Sequence, residues 1–144
     1  MSLDFLNGLH IAKTFSVETE ENRAVLYSIS YQPTTQNRDD AYEYVKTHQN
    51  MQTLDDTPCG KTLCDLGYQS SMDIAPSELK KIWHLASERF IAAASGDLKA
   101  FVEGADKRST FCSVEAPAIL KNDKIKTING IDKRVFLKNF PVSK

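Results

Sequence analysis

Cysteine is scarce in this chain of 144 residues, and its three cysteines build no disulfide framework. Cys59, Cys64 and Cys112 are odd in number, and Cys59 and Cys64 have no second pair of ligands at the spacing of a zinc site. We therefore expect all three thiols to be reduced, with a Cys59–Cys64 bridge as the alternative. A fold that depends on several disulfides is disfavoured.

Long apolar runs are missing as well. No stretch approaches the length that spans a bilayer, and the N-terminus MSLDFLNGLH lacks the basic-then-apolar pattern of a signal peptide. We expect the protein either to act in a cytosol or to be carried there by something that this sequence does not include.

An excess of charge of either sign is also missing. With 18 basic and 19 acidic residues the formal net charge is −1, which offers little attraction to nucleic acid or to an anionic membrane surface. A nuclease would need a basic groove and a His or Lys acid–base pair, and neither is visible. His10 and His84 have no Cys, Asp or second His at ligand spacing, so we assign them no chemistry and expect no metal site.

The sequence does have an ordinary globular composition. Apolar residues make up 41% of the chain, enough to bury the core of one domain. Periodicity and turn residues predict a helix within 1–16, a strand at 24–31, a helix at 40–48 with N-cap residues in 37–40, irregular backbone at 51–66, a helix from Ser77 as N-cap to Ser95, a strand at 98–102, a loop holding 109–115, a helix around 114–120 and a strand at 124–128.

This order of elements predicts a mixed α/β (α+β) fold. A small parallel sheet with flanking helices should form the C-terminal half and pack on a mostly helical N-terminal part, with the active-site cleft between them. We expect one domain over 1–144, with a helical lobe at roughly 1–96 and an α/β lobe at roughly 97–144 that includes the strand at 24–31.

Three short segments stand out from the rest of the chain. They are TLDDT at 53–57, a helix that carries Trp83, Ser87 and Phe90, and STFCSVE at 109–115. Each is weak alone, because an acidic residue after Ser-Val is most often a helix-start residue. Their order and spacing together go beyond what helix or strand propensity produces.

Together the three segments resemble the ADP-ribosyl cyclase / NAD glycohydrolase family. Its animal members carry TLEDT, then a Trp-x-x-x-Ser-x-x-Phe helix, then STFxSVE, and the likeness runs from about Tyr27 to about Ile131. The resemblance implies an enzyme that cleaves the nicotinamide–ribose bond of NAD or NADP to give nicotinamide and ADP-ribose, with cyclisation as a side reaction. No GxGxxG fingerprint is present, which is consistent with NAD as a substrate and with no cofactor. The alternatives are a non-catalytic module that binds NAD or ADP-ribose, and a nuclease toxin domain.

The resemblance makes Glu115 the catalytic carboxylate. Nicotinamide leaves as a neutral amine, so the reaction needs no general acid, and one carboxylate can stabilise the ribosyl cation that remains. We expect Glu115 to be ionised at neutral pH with a pKa near roughly 4.3, without special tuning.

The resemblance also assigns the groups that hold nicotinamide. Trp83 and Tyr27 would stack on the cationic ring, although relatives commonly have Trp at both positions, and Trp83 could instead be a core residue. Asp55 aligns with the Glu of TLEDT and would accept the carboxamide N–H, or it could simply belong to an acidic turn.

Hydroxyl and backbone groups would bind ribose and phosphates. Ser87 lies one turn after Trp83, and Ser28, Ser109, Thr110 and Phe111 would meet the phosphates. Thr110 is small, as in the mainly hydrolytic members of the family, so hydrolysis should dominate.

One departure from the family concerns the compartment. Relatives are disulfide-rich, and Ser95 stands where they place a Cys after the helix. With the small size and the missing signal, this suggests a bacterial toxin or effector domain, delivered into a target cytoplasm as the C-terminal part of a larger secreted protein, as in contact-dependent inhibition. A producing cell would then need an immunity protein. We expect no nucleic-acid partner and no membrane span.

Overall fold

The longest helix, 18 residues from Pro76 to Ala93, lies at the centre of the protein. The structure, a computed structural model, describes residues 3–68 and 74–141. Its elements are α1 (Leu3–Thr14), β1 (Val25–Tyr27), α2 (Gln36–Thr47), a 3₁₀ turn (Leu54–Asp56), α3 (Pro58–Asp65), α4 (Pro76–Ala93), β2 (Gly96–Phe101), a π-helical turn (Phe111–Glu115), α5 (Ala116–Lys121), β3 (Ile125–Ile128), β4 (Ile131–Asp132) and α6 (Lys133–Leu137).

The strands form one four-stranded sheet in the order β1-β2-β3-β4. β1 and β3 both run parallel to β2, whereas β4 pairs antiparallel to β3. Asn129 and Gly130 make the tight turn between β3 and β4, with φ values of 53° and 79°, the left-handed backbone that two-residue hairpins require. The mainly parallel sheet with flanking helices confirms the fold class expected from the sequence.

One face of α4 supplies much of the core. Ile82, Ala86, Phe90 and Ile91 are fully buried and recur at helical spacing, as an amphipathic helix requires. On the facing helix, a Cβ placed on Gly8 would lie 2.5 Å from Cδ1 of Ile82, so a larger residue there would force the Ile82 side chain to move.

The start of α4 differs from the prediction of Ser77 as N-cap. Ala75 holds the N-cap position and Pro76 is the first helical residue, where the missing N–H of proline is not needed. The side chain of Glu78 accepts the backbone N–H of Ala75 at 3.2 Å. The proline and the glutamate therefore fix the helix start two residues earlier than the serine suggested.

The segment expected to be irregular between 51 and 66 is mostly helical, so that prediction was wrong. Thr57 caps α3, because its Oγ1 accepts the backbone N–H of Gly60 at 3.2 Å, and Pro58 is the first helical residue. The Pro-Cys-Gly sequence that indicated a turn instead opens a helix.

Smaller differences occur elsewhere. β1 ends at Tyr27 rather than at residue 31, and Tyr31 has a left-handed φ of 63°, which no extended strand accommodates. α2 begins at Gln36, before the expected N-cap residues. α6 was not predicted; Asp132 caps it by accepting the backbone N–H groups of Arg134 and Val135.

The three cysteines are free thiols in the structure, and no two of them are bonded. Burial raises the pKa of Cys59, Cys64 and Cys112 alike, so all three stay protonated at neutral pH. Within 3–68 and 74–141, none of the helices is long and apolar enough to cross a bilayer.

Candidate active site

A cleft of about 590 Å³ opens where β1, the 3₁₀ turn, α4 and the π-helical turn meet. Eight of the nine residues that the sequence singled out for catalysis or substrate binding line it: Tyr27, Ser28, Asp55, Trp83, Ser87, Thr110, Phe111 and Glu115. The fold thus collects the three segments that the sequence keeps far apart. The cleft lies beyond the carboxyl end of β1, the edge at which open α/β sheets bind ligands.

Most of the STFCSVE segment, Phe111–Glu115, forms a π-helical turn and not the loop that was expected. The backbone N–H of Ala116 donates to the carbonyl of Phe111, five residues back instead of four. Pro117 accounts for this insertion, since a proline ring would clash with the carbonyl four residues earlier in a regular helix. Ser109 starts the turn, and its Oγ accepts the N–H of Cys112 at 3.1 Å. π-Turns of this kind occur often at functional sites.

Glu115 ends this turn with its side chain almost completely buried, at 7% exposure, and it lines the cleft. Its carboxylate has no hydrogen-bond partner among the described residues. Burial, and then the nearby charge of Asp55, raise the pKa of Glu115 from 4.5 to about 8. The expectation of an untuned carboxylate was wrong, because the sequence does not show that the side chain is buried or that the charge of Asp55 lies near it.

Asp55 is held by two tyrosines. The phenols of Tyr27 and Tyr42 both donate to its Oδ2, at 2.5 and 2.7 Å, and the two rings meet edge to face. Burial raises the pKa of Tyr42 to about 12, and burial and Asp55 raise that of Tyr27 further, so both phenols remain protonated donors. This arrangement leaves the second carboxylate oxygen of Asp55 for another partner.

Trp83 lies where either of the two roles weighed from the sequence is open to it. Its ring packs partly against the core and also lines the cleft. The indole Nε1–H donates to the carbonyl of Tyr68 at 2.7 Å, which fixes the plane of the ring. A fixed aromatic face in a cleft can stack on a flat cationic ligand ring without first losing rotamer freedom.

The remaining predicted residues lie along the same walls. Ser87 is buried one turn beyond Trp83, and Thr110 is half-buried. Phe111 packs edge to face on Phe140, with centroids 5.3 Å apart. Ser109 does not line the cleft: it is fully buried and its hydroxyl is used within the π-turn, so its expected phosphate role has no support here.

Five polar residues at or beside the cleft were not expected from the sequence. Ser30, Arg38, Lys80 and His84 line it, and Tyr42 reaches it through Asp55. His84 had been assigned no chemistry; burial and the charge of Lys80 lower its pKa, so it is neutral at neutral pH. The four-residue spacing of Arg38 and Tyr42, which puts them on one helix face, was the available signal. No group of metal-ligating side chains is found within 3–68 and 74–141.

No protein-family model matches the sequence, and no curated protein matches it. Solved structures do match. A CD38 structure aligns with a TM-score of 0.60 and 18% identity, over 96% of this chain and 69% of that one. Porcine CD38, complexed with a covalent intermediate, aligns with a TM-score of 0.58 and 20% identity, over 91% of this chain and 70% of that one.

An Aplysia cyclase, complexed with its substrate NGD and product cGDPR, aligns with a TM-score of 0.56 and 17% identity, over 87% of this chain. This chain spans 61–62% of the length of the ADP-ribosyl cyclase structures it matches. At these identities the matches show the fold: the protein is built like ADP-ribosyl cyclase and CD38 over most of its length.

Proposed function

We propose that this protein is an enzyme that hydrolyses the nicotinamide–ribose bond of NAD, and of NADP, to nicotinamide and ADP-ribose. The observation that carries the proposal is Glu115, a buried carboxylate without a hydrogen-bond partner among the described residues, in a cleft walled by Trp83 and Tyr27. The fold shared with cyclase and CD38 structures, whose ligands are a nucleotide substrate and a covalent intermediate, supports it.

The chemistry needs little from the protein beyond charge and position. Nicotinamide leaves with the electron pair of its bond to ribose C1′, which turns a cationic ring into a neutral amine and leaves the positive charge on the ribose. Glu115 stabilises that cation, and water adds at C1′. One proton of the water stays on the new C1′ hydroxyl and the other is released to solvent. The carboxylate is worth most in the transition state, where the charge develops on the sugar.

The two carboxyl groups suit a cationic substrate. Asp55 and Glu115 repel one another when both are ionised, and this repulsion contributes to the raised pKa of Glu115. A positively charged nicotinamide ring between Trp83 and Tyr27 offsets the repulsion and lowers that pKa. Substrate binding therefore favours the ionised form of Glu115 that the bond cleavage needs.

The balance between hydrolysis and cyclisation depends on Thr110, which lines the cleft next to the π-helical turn. Thr110 offers a short polar side chain, so water keeps access to the ribosyl cation and the adenine has no bulky ring against which to fold back. We expect hydrolysis to dominate over cyclisation to cyclic ADP-ribose.

One observation favours a binding module as the second candidate. A carboxyl group with a pKa of about 8 is mostly neutral at pH 7 in the free protein, and a neutral carboxyl stabilises a cation poorly. Incubation with NAD and with NADP, followed by chromatography of nicotinamide, ADP-ribose and cyclic ADP-ribose, separates the candidates. Released nicotinamide supports the enzyme; binding of unchanged NAD supports the module.

The biological setting is a further part of the proposal. An NAD-consuming domain with free thiols suits action in the cytoplasm of a target cell, as the toxin part of a larger delivered bacterial protein. A producing cell would then carry an immunity protein that covers the cleft at Trp83, Asp55 and Glu115. Expression of the domain alone should lower cellular NAD and stop growth; unchanged NAD and growth would remove the toxin role.

A further inference from the structure

A tyrosine occupies a turn position whose backbone favours glycine. The chain that leaves β1 turns at 29–32, where the backbone N–H of Gln32 donates to the carbonyl of Ile29 at 3.0 Å. Tyr31 is the third residue of this turn and has a φ of 63°, the left-handed backbone that the third position of a type II turn requires. Bulky residues in this conformation are strained, and such residues cluster at active sites and ligand clamps.

The ring that this turn presents is exposed and held from one side. Tyr31 is 55% exposed. The guanidinium carbon of Arg108 lies 3.9 Å from the centroid of its ring. Asp106 fixes that guanidinium by accepting its Nε–H at 2.8 Å and its Nη2–H at 3.0 Å. Within 3–68 and 74–141 no second ring or cation packs on Tyr31, so one face is backed by a fixed cation and the opposite face is left for a flat ligand.

The same ring stands at the rim of the cleft. The four residues before it, 27–30, all line the cleft, and Thr110, two residues after Arg108, lines it as well. The side-chain amide of Gln32 donates to the carbonyl of Gly104 at 2.6 Å, which joins the turn to the loop that carries Arg108. The wall of the cleft therefore leads from the proposed nicotinamide site to a second aromatic face.

We propose that the free face of Tyr31 stacks on the purine base of the substrate, while Arg108 holds the ring in place. The inference rests on the proposed function and deepens it: the cationic ring of the dinucleotide binds inside the cleft, and its base binds at the rim. Stacking uses the face of a base and not its hydrogen-bonding edge, so the subsite accepts adenine and guanine alike. It makes the protein selective for a dinucleotide over a mononucleotide that carries the same scissile bond.

The test measures binding of ADP-ribose by calorimetry to the full chain, Tyr31→Phe, Tyr31→Asn and Val135→Ala. Val135 is a matched control, because it is a similarly exposed residue on α6. Asparagine accepts the left-handed backbone, so Tyr31→Asn removes the ring without straining the turn. Loss of one base stack should weaken ADP-ribose about 5- to 100-fold in Tyr31→Asn. Tyr31→Phe keeps the stacking face and should bind as the full chain does, and so should Val135→Ala.

A spectroscopic readout separates stacking from a change in the shape of the turn. In ligand-observed NMR, saturation of the aromatic protons of the protein should pass to the adenine ring protons in the full chain and in Tyr31→Phe, and much less in Tyr31→Asn. Equal ADP-ribose affinity in Tyr31→Asn and the full chain overturns the base subsite. A loss of the same size in Tyr31→Phe overturns it too, because the hydroxyl and not the ring face would then be recognised.

The outcomes keep this inference apart from the proposed activity. A ring-dependent loss of ADP-ribose affinity, in a protein that releases no nicotinamide, keeps the base subsite and removes the hydrolase. Nicotinamide release by the full chain, together with undiminished ADP-ribose affinity in Tyr31→Asn, keeps the hydrolase and overturns the base subsite. A full chain that binds no ADP-ribose contradicts both.

Discussion

Tyr42 donates its phenol hydrogen to Oδ2 of Asp55 at 2.7 Å, although the two residues lie on different elements. The Asp55 side chain is one methylene shorter than the Glu that stands at this position in TLEDT. The phenols of Tyr42 and Tyr27 both donate to the same oxygen of its carboxylate. We expect Tyr42→Phe to raise KM for NAD several-fold and to lower stability by about 0.5–1.5 kcal/mol, the net value of one hydrogen bond.

Tyr44→Phe is the matched control for that change. Tyr44 lies on the same helix, stacks on His48, and its hydroxyl has no hydrogen bond among the described residues. Steady-state kinetics and thermal melts of both variants should separate them. A Tyr42→Phe protein with unchanged KM would show that the Asp55 carboxylate does not need this support.

The pH dependence of the reaction should follow Glu115. Its pKa in the free protein is about 8, and the ionised form is the active one, so kcat/KM should rise with pH and level off above about pH 8. At pH 6 it should be about 100-fold below the plateau. Asp55→Asn removes the neighbouring charge and should move the inflection to lower pH. A profile that is flat between pH 6 and 9 would contradict the raised pKa.

The same pKa predicts a stability effect. A carboxyl whose pKa rises from 4.5 to about 8 on folding favours the native state fully only below pH 4.5, and this contribution is lost as pH rises towards 8. Glu115→Gln should therefore melt higher than the unmodified chain at pH 8, by a margin that shrinks towards pH 4.5. A difference of about 1 kcal/mol corresponds to about 3 °C in a domain of this size. Glu88→Gln, an exposed change on α4, should show no such pH dependence.

Gly60 controls the position of Asp55 from outside the cleft. A Cβ at Gly60 would lie 2.6 Å from the carbonyl carbon of Leu54, so α3 and the 3₁₀ turn that carries Asp55 would have to separate. We expect Gly60→Ala to lose about 1–3 kcal/mol of stability and to raise KM. Lys61→Ala, at the next and exposed position of α3, should change neither. A Gly60→Ala protein of normal stability would contradict the tight packing seen here.

Sequence patterns predicted the features that depend on the spacing of nearby residues. The spacing of apolar residues predicted that α4 exists, and the three short segments contain most of the predicted residues that line the cleft. The predicted start of α4 was wrong because serine is a common N-cap residue. In the structure, Pro76 is the first helical residue and the Glu78 side chain accepts the backbone N–H of Ala75, which fixes Ala75 as the N-cap.

The electrostatics of the site could not be predicted in this way. The raised pKa of Glu115 depends on burial and on Asp55, which only the folded chain brings near. Tyr42 and Arg38 reach the site because Asn37 fastens α2 to two strand ends, a tertiary contact with no local signature. The π-turn comes just before Pro117, whose ring disfavours the regular hydrogen bond to the carbonyl four residues earlier, and the apolar period of the sequence does not reveal this.

The most direct test of the account is the rate of nicotinamide release by Glu115→Gln at saturating NAD and pH 8, beside Glu88→Gln as control. Gln keeps the shape of the side chain but removes the charge that stabilises the ribosyl cation, so the loss should appear in kcat with KM nearly unchanged. We predict a fall in kcat of at least about 10²–10³-fold, in a protein that melts no lower than the unmodified chain. Turnover within a few-fold of normal would contradict the catalytic role of Glu115.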